Sequence, residues 1–240
     1  MKSQNIIKEA LRPTYYKILK LLRNKAAPMV TYSKKKKFYS NNVLSDDSVK
    51  RIIRKRPLYA MGPDYNDLLF LWNTVRKRKP RVVLEFGSGW STYVIASALA
   101  ANAAQGSNGF LYSLDHMEEW VNVTNNTMPQ EYKKHCKVIY SPLNENEYDG
   151  VKGWVFSDIP DIIPNMVFLD SPGITKERCG AFDLLYMEDR FPEDFYLIID
   201  KRHKNTAILK ERFKRKYIYK EYRGPFGGIY YMNTFEKVLE

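Results

Sequence analysis

The stretch RVVLEFGSGWSTYVIASALA, residues 81–100, predicts a strand, a glycine turn and a helix in immediate succession. Val82–Phe86 is a short apolar run typical of a buried strand, and an apolar helix is expected over residues 91–101. Gly87 and Gly89 lie between the two elements, and glycine permits dihedral angles and a close ligand approach that other residues resist. Because the first amides of the helix face such a ligand, the stretch predicts a binding site at the turn.

The residues around the two glycines narrow the class of ligand. A dinucleotide fingerprint G-x-G-x-x-G requires a third glycine where this chain has Thr92. Glu85 lies two residues before Gly87, and its carboxylate repels a pyrophosphate but favours a positively charged group. No Gly-Lys-Ser/Thr follows the turn, which excludes a P-loop. Ser91 or Thr92 is expected to cap the helix, and the turn is expected to hold a cationic ligand.

Together with the strand that follows it in the chain, the turn resembles the first motif of class I S-adenosylmethionine-dependent methyltransferases. In that family an acid precedes a G-x-G turn under the amino-acid end of the cofactor, and a second acid after the next strand binds the ribose hydroxyls. The stretch LYSLDH supplies Asp115 at that second place, although an ordinary helix-capping aspartate is the alternative. The resemblance covers residues 64–232 and implies S-adenosyl-L-methionine as the cofactor. The binding residues that it implies are Glu85, Gly87, Ser88, Gly89, Ser91, Thr92, Asp115 and, near the adenine, Ser141.

Two later strand ends resemble those of the catechol O-methyltransferase-like group. In that group two aspartates and a neighbouring asparagine bind a divalent metal that orients the acceptor hydroxyl. Asp170, which ends NMVFLD, and Asp200, which ends FYLIID, match the two aspartates. Lys201 stands where the asparagine would be, and the segment SPG (171–173) lacks the lysine that serves as the base there. An ammonium beside two carboxylates can replace the charge of a metal, so a divalent-metal cofactor is left open.

The catalytic candidates at these strand ends are Asp170, Asp200, Lys201 and His203. Histidine titrates closest to neutral pH, which favours His203 as the base that activates an acceptor hydroxyl. A histidine in the stretch DKRHKN is equally well explained as a solvated residue at the start of a helix. Both interpretations stay open from the sequence alone.

From residue 64 onward the chain alternates strands and helices. Strands are expected at 82–86, 110–114, 137–140, 166–169 and 196–199, followed by an antiparallel pair at 217–222 and 229–232. Helices are expected at 64–78, 91–101, 117–128, 175–187 and 203–214, and a long polar segment follows the third strand. This pattern predicts an α/β fold with a doubly wound, mainly parallel, seven-stranded Rossmann-like sheet and an antiparallel C-terminal strand pair. The methyltransferase-like domain is expected over 57–240, after a basic N-terminal helix and linker over 1–56.

The formal net charge of +12 does not describe the predicted domain. Residues 1–56 hold 16 basic and 3 acidic residues, whereas residues 57–200 hold 12 basic and 20 acidic ones. The helix expected at 14–24 packs on the body or on another protein, lies on an anionic membrane surface, or contacts nucleic acid. Residues 201–223 hold 10 basic and 2 acidic residues, which an anionic acceptor or a solvated helix face explains.

The composition favours a cytoplasmic protein, with peripheral membrane contact as a further option. The chain has only two cysteines and no apolar run long enough to span a bilayer. The expected function is O-methylation of a small molecule or of a sugar or glycan hydroxyl. The alternatives are an RNA methyltransferase that uses the basic segment 1–56 and a non-catalytic cofactor-binding protein of the same fold.

Overall fold

The computed structural model describes residues 43–44, 46–55, 64–172, 180–223 and 230–238. All of them belong to one compact unit that begins at Val43. The helix predicted at 14–24 and the predicted domain start at residue 57 lie outside the described residues. Within the described ranges, no helix has both the length and the apolar character that crossing a membrane requires.

Strands account for much of this unit. In chain order they are β1 (Val82–Phe86), β2 (Phe110–Asp115), β3 (Cys136–Tyr140), β4 (Leu143–Tyr148), β5 (Val151–Phe156), β6 (Met166–Leu169), β7 (Gly180–Ala181), β8 (Tyr196–Asp200), β9 (Tyr217–Arg223) and β10 (Tyr230–Lys237). Seven of them form the central sheet in the order β3-β2-β1-β6-β8-β10-β9. The first five strands in this order run parallel, and β10 lies antiparallel between β8 and β9. The predicted fold class is confirmed, and β1 and β6 span the predicted residues.

Helices pack on this sheet because parallel strands need both faces covered. They are α1 (Asp46–Lys55), α2 (Tyr65–Arg78), α3 (Trp90–Ala103), α4 (Glu118–Thr127), α5 (Asp183–Met187) and α6 (His203–Arg212), with 3₁₀ turns at Gln130–His135 and Glu188–Arg190. The predicted start of α2 is confirmed, because Asp64 Oδ1 accepts the Asn66 N–H over 3.1 Å. The first ten residues of α3 are all buried, and α3 packs against α2. The helix behind the glycine turn is therefore held on all sides.

A second, three-stranded sheet, which the sequence pattern did not predict, has the order β4-β5-β7. The long polar segment predicted after β3 is a hairpin, and in the described part of the helix predicted at 175–187 only α5 is helical. Asp149 and Gly150 both have positive φ angles, 48° and 74°, which suit the two-residue hairpin turns that Asp-Gly favours. The polar composition of β4 suggests a loop, whereas the Asp149-Gly150 pair is a signal for a hairpin turn.

The hydrophobic core joins both sheets. Phe86 of β1 and Phe156 of β5 are buried, and their ring centroids lie 5.1 Å apart. The same cluster continues through Phe182 and Leu184 at the start of α5. The second sheet therefore packs on the strands whose carboxyl ends carry the predicted site.

Candidate functional site

Gly87 begins the turn after β1 at a position that favours glycine. Its φ of +103° is a conformation that residues with a side chain rarely adopt. A Cβ at this position would lie 2.9 Å from Ser171 Cβ and 3.3 Å from the carbonyl group of Asp170. The Gly87 N–H donates to the Leu114 carbonyl oxygen over 2.7 Å. The turn thus lies directly against the ends of β2 and β6.

Thr92 links this turn to the strand behind it. Its hydroxyl accepts the Gly89 N–H over 2.9 Å and donates to Glu85 Oε2 over 2.6 Å. Ser91, the other predicted cap, is buried in the first turn of α3. The threonine that replaces the third glycine of a dinucleotide fingerprint therefore connects the helix start to the predicted acid.

Glu85 is fully buried behind the turn. Its Oε1 has no hydrogen-bond partner among the described residues. Burial raises the pKa of Glu85 to about 7, and the hydroxyls of Ser113, Ser91 and Thr92 oppose that rise. A buried acid with an unpartnered oxygen gains stability from a nearby positive charge. Glu85 therefore fits the cationic ligand that the sequence predicts.

Asp115 lies beside the turn at the end of β2 and is almost fully buried. Its Oδ2 accepts the Ser88 N–H over 2.8 Å and the Ser88 hydroxyl over 3.0 Å, and its Oδ1 accepts the Met117 N–H over 2.9 Å. An ionised carboxylate has about four acceptor positions, so these bonds leave capacity for a further donor. Asp115 thus both holds the glycine turn and offers an acceptor at its rim.

His116 follows Asp115 and contacts the end of β6. Its Nδ1 lies 3.2 Å from Ser171 Oγ and 3.7 Å from Asp115 Oδ1. The imidazole ring meets the Phe156 ring edge-on, with centroids 6.5 Å apart. These contacts connect the ends of β2 and β6, the two strands on either side of β1, next to the glycine turn.

Asp170, at the end of β6, is paired with Arg202. The Arg202 Nη2 donates to Asp170 Oδ1 over 3.0 Å and also to the carbonyl oxygen of Asp170. Burial and the neighbouring Asp200 raise the pKa of Asp170, whereas Arg202 acts in the opposite direction. The first predicted catalytic carboxylate therefore has its own counter-ion.

Asp200, at the end of β8, belongs to a carboxylate cluster that we define as Asp64, Asp67 and Asp200. The Lys201 ammonium lies among them: Nζ is 2.7 Å from Asp67 Oδ2 and 3.6 Å from the nearest oxygen of each of the other two. Burial raises the pKa of Asp67 to about 7, with a further contribution from Asp64. Burial opposes protonation of Lys201, but the carboxylate cluster outweighs it and raises the pKa of Lys201. Lys201 therefore stays positively charged.

These pairings do not fit a divalent-metal site at Asp170 and Asp200. Magnesium and calcium sites are built from oxygen ligands. Here the ammonium of Lys201 stands where the catechol O-methyltransferase-like group has an asparagine. The guanidinium of Arg202 also pairs with the Asp170 carboxylate. Among the described residues, no group of three or more His, Cys, Asp or Glu side chains is arranged to hold a metal ion.

Two predicted site residues have other surroundings. Ser141 is fully buried, and its hydroxyl accepts the Asp158 N–H over 2.9 Å. This bond holds the end of β5 against the end of β3, so the role of Ser141 at the adenine stays a prediction. His203 is exposed at the first residue of α6, and its role as a base likewise stays a prediction.

Sequence reasoning missed Asp67 and Arg202. Asp67 lies in the first turn of α2, where its acidic side chain is buried next to Leu68 and Leu69. An acid on the apolar face of a helix usually has a buried partner, and that signal was available. Arg202 gave no comparable signal, because it stands in a run of basic residues that suggested solvent.

Comparisons with known proteins show what the fold is similar to. No model of a known protein family matches the chain, and no curated protein matches it. An O-methyltransferase from Bacillus cereus in complex with S-adenosylhomocysteine (SAH) is 12% identical, with a TM-score of 0.53 over 84% of this chain and 96% of its own. The O-methyltransferase TomG from Streptomyces achromogenes, involved in tomaymycin synthesis and bound to SAM, is 14% identical, with a TM-score of 0.54 over 85% of this chain and 94% of its own.

A third similar structure has a comparable TM-score. The SAH-bound methyltransferase of Podospora anserina is 14% identical, with a TM-score of 0.52 over 88% of this chain and 96% of its own. At these identities the similarity concerns the fold. The chain has the Rossmann-like class I fold that these methyltransferase structures share.

Proposed function

We propose that this chain is an S-adenosylmethionine-dependent methyltransferase that methylates a hydroxyl group of a small molecule, a sugar or a glycan. The supporting observation is the arrangement at one edge of the sheet, where the Gly87 turn lies in front of buried Glu85 and beside Asp115. This edge of the sheet therefore combines buried negative charge for a cation with an acceptor for a diol. Known O-methyltransferases that share the fold add support.

On the cofactor side, the residues of the turn act together. Gly87 lets the backbone approach the ligand, because the turn carries no side chain there. Glu85 provides negative charge behind the turn for the ammonium group of the amino-acid end. Asp115 keeps acceptor capacity for a ribose hydroxyl, a charge-assisted hydrogen bond that selects a sugar over an apolar group.

On the acceptor side, the strand-end carboxylates can take up the proton. When bound, the cofactor supplies an electrophilic methyl group: the acceptor oxygen forms the new bond to carbon as the carbon–sulfur bond breaks and its electron pair stays on sulfur. The hydroxyl proton has to leave, and a base near the acceptor assists that step. Burial raises the pKa of both Asp170 and Asp200, which favours them as proton acceptors. Lys201 stays protonated and cannot serve as the base.

An anionic acceptor draws its support from residues farther along α6. Lys201 and Arg202 are already engaged by carboxylates, so neither offers a whole unpaired charge to an acceptor. Lys204 and Lys210 are exposed on α6. Because the Lys210 ammonium lies over the Tyr219 ring, 4.0 Å from its centroid, we assign Lys204 alone to an acidic acceptor.

Isothermal titration with SAH tests the proposed function. We expect saturable binding at a single site, because the turn and Asp115 match an amino acid and a ribose. ATP carries the same adenosine but places phosphates at the turn, so we expect it to bind at least about tenfold more weakly owing to repulsion by Glu85. Absence of SAH binding, or equal binding of ATP, contradicts the proposal. Tight SAH binding without any methylated product in a mass-spectrometric screen of hydroxylated acceptors supports the non-catalytic alternative instead.

SAH binding is expected to depend on pH through Glu85. Its pKa of about 7 leaves the carboxyl largely protonated at pH 6 and ionised at pH 8, and only the ionised form attracts an ammonium group. Affinity should therefore rise as pH increases through 7, by on the order of tenfold between pH 6 and pH 8. The matched control is Glu85→Gln, which keeps the size of the side chain and cannot ionise. If the Glu85→Gln variant shows the same pH dependence, another group is responsible for it.

A further inference from the structure

We propose that Lys201 replaces a divalent metal in this cleft: its ammonium is the resident cation of the carboxylate cluster, and the centre binds no divalent metal. The catechol O-methyltransferase-like group, which the strand ends resemble, uses a metal there. The role of the ammonium in methyl transfer rests on the proposed function. The absence of metal binding does not rest on the proposed function, and it can be measured separately.

The position of the Lys201 ammonium supports its assignment as the resident cation of the carboxylate cluster. Lys201 follows β8 directly and has a left-handed backbone conformation, with a φ of +48°. Its side chain is about two-thirds buried, and Nζ reaches Asp67 on α2 as well as Asp200 beside it. Because a lysine ammonium has three donors, the three carboxylates of the cluster match its bonding capacity.

A metal ion bound to Asp200 would be repelled by the positive charge of this ammonium. Carboxylate oxygens bind magnesium or calcium at about 2.0–2.6 Å. Asp200 Oδ1 lies 3.6 Å from Lys201 Nζ. A metal on that oxygen would therefore lie no more than about 6 Å from a fixed positive charge in a partly buried site. Like charges at that separation repel, so the metal could enter only if Lys201 moved away.

Arg202 blocks the other predicted metal ligand. Its guanidinium bonds both the side chain and the backbone carbonyl oxygen of Asp170, which fixes it at the end of β6. A metal that bridged Asp170 and Asp200 would have to displace two cations.

The ammonium can perform the electrostatic part of a metal's task. As the acceptor hydroxyl loses its proton to a carboxylate, negative charge grows on the oxygen before the bond to the methyl carbon is complete. A permanent positive charge beside Asp200 stabilises that oxygen. Unlike a metal, it cannot be removed by a chelator.

Titration with Mn²⁺, followed by electron paramagnetic resonance, tests the proposal directly. We expect the wild-type protein to bind no Mn²⁺ up to concentrations of about 1 mM. Lys201→Asn removes the ammonium, supplies an oxygen ligand, and suits a left-handed backbone, which asparagine tolerates better than lysine. This variant should bind Mn²⁺ at least about tenfold more tightly than the wild type.

Three further proteins make the result decisive. Lys152→Asn removes an exposed lysine from β5 and should bind Mn²⁺ no better than the wild type. Lys201→Met keeps the length of the side chain without its charge, and it replaces Lys201→Asn if circular dichroism shows that the asparagine variant is unfolded. Adding Asp200→Asn to either Lys201 variant should abolish the new binding. Tight Mn²⁺ binding by the wild type overturns the proposal, as does a folded Lys201 variant that binds no better. SAH titration of the same samples reports separately on the proposed function.

Discussion

Asp115→Ala is expected to weaken SAH binding by roughly 10- to 100-fold, or about 1.5–3 kcal/mol, as for loss of a charged hydrogen bond. The substitution removes the acceptor assigned to the ribose, and it also releases the Ser88 N–H and hydroxyl from Asp115 Oδ2. Both losses act in the same direction, because the turn that faces the ligand loses its anchor. The dissociation constant is measured by isothermal titration at fixed pH.

Two controls separate the ribose contact from the anchoring of the turn. Ser88→Ala removes one of the two bonds from Ser88 to Asp115 and keeps the carboxylate, so it should weaken SAH binding less than about fivefold. Asp161→Ala removes an exposed acid that pairs with Arg190 at the surface, and it should leave binding unchanged. If Ser88→Ala costs as much as Asp115→Ala, anchoring and not ribose binding explains the effect.

Gly87→Ala is expected to destabilise the fold by about 2–6 kcal/mol, the sum of a conformational and a steric cost. A backbone with a φ of +103° costs roughly 1–3 kcal/mol for a residue with a side chain. The new Cβ would also lie 2.9 Å from Ser171 Cβ, and crowding of this kind costs roughly 1–3 kcal/mol. Urea unfolding measures the loss, and SAH binding should weaken in parallel because the turn has to move.

Gly106→Ala is the matched control for this substitution. Gly106 also has a positive φ, +84°, but nothing lies within 4 Å of the position that its Cβ would take. It should therefore lose only the conformational part, roughly 1–3 kcal/mol. An equal loss in the two variants would mean that the contact with β6 contributes nothing.

The parts of the molecule that the sequence predicted well are those with local signals. An apolar run ending in glycines located β1, and an aspartate before a helical pattern located the cap of α2 at Asp64. The carboxyl ends of parallel strands meet at one edge, so the strand assignments were enough to bring Asp115 next to the turn.

The parts that the sequence did not predict depend on contacts between distant residues. The bond from Lys201 to Asp67 joins positions 134 residues apart, and no local pattern at either end specifies the partner. No residue of the polar strand β4 is fully buried, so its composition resembles that of a loop. The basic run misled for a related reason, because Arg202 looks solvated in the sequence and is paired with Asp170 in the fold.

The place of β10 in the central sheet has a consequence for synthesis of the chain. A ribosome makes β8 and then β9 before it makes β10, yet β10 lies between them and pairs with both. Until β10 emerges, the edge of β8 offers unpaired backbone groups beside buried residues such as Leu197 and Ile198. Such an edge invites pairing with other chains. A nascent chain that stalls after residue 223 would therefore be prone to aggregate, although it already holds the glycine turn and both strand-end aspartates.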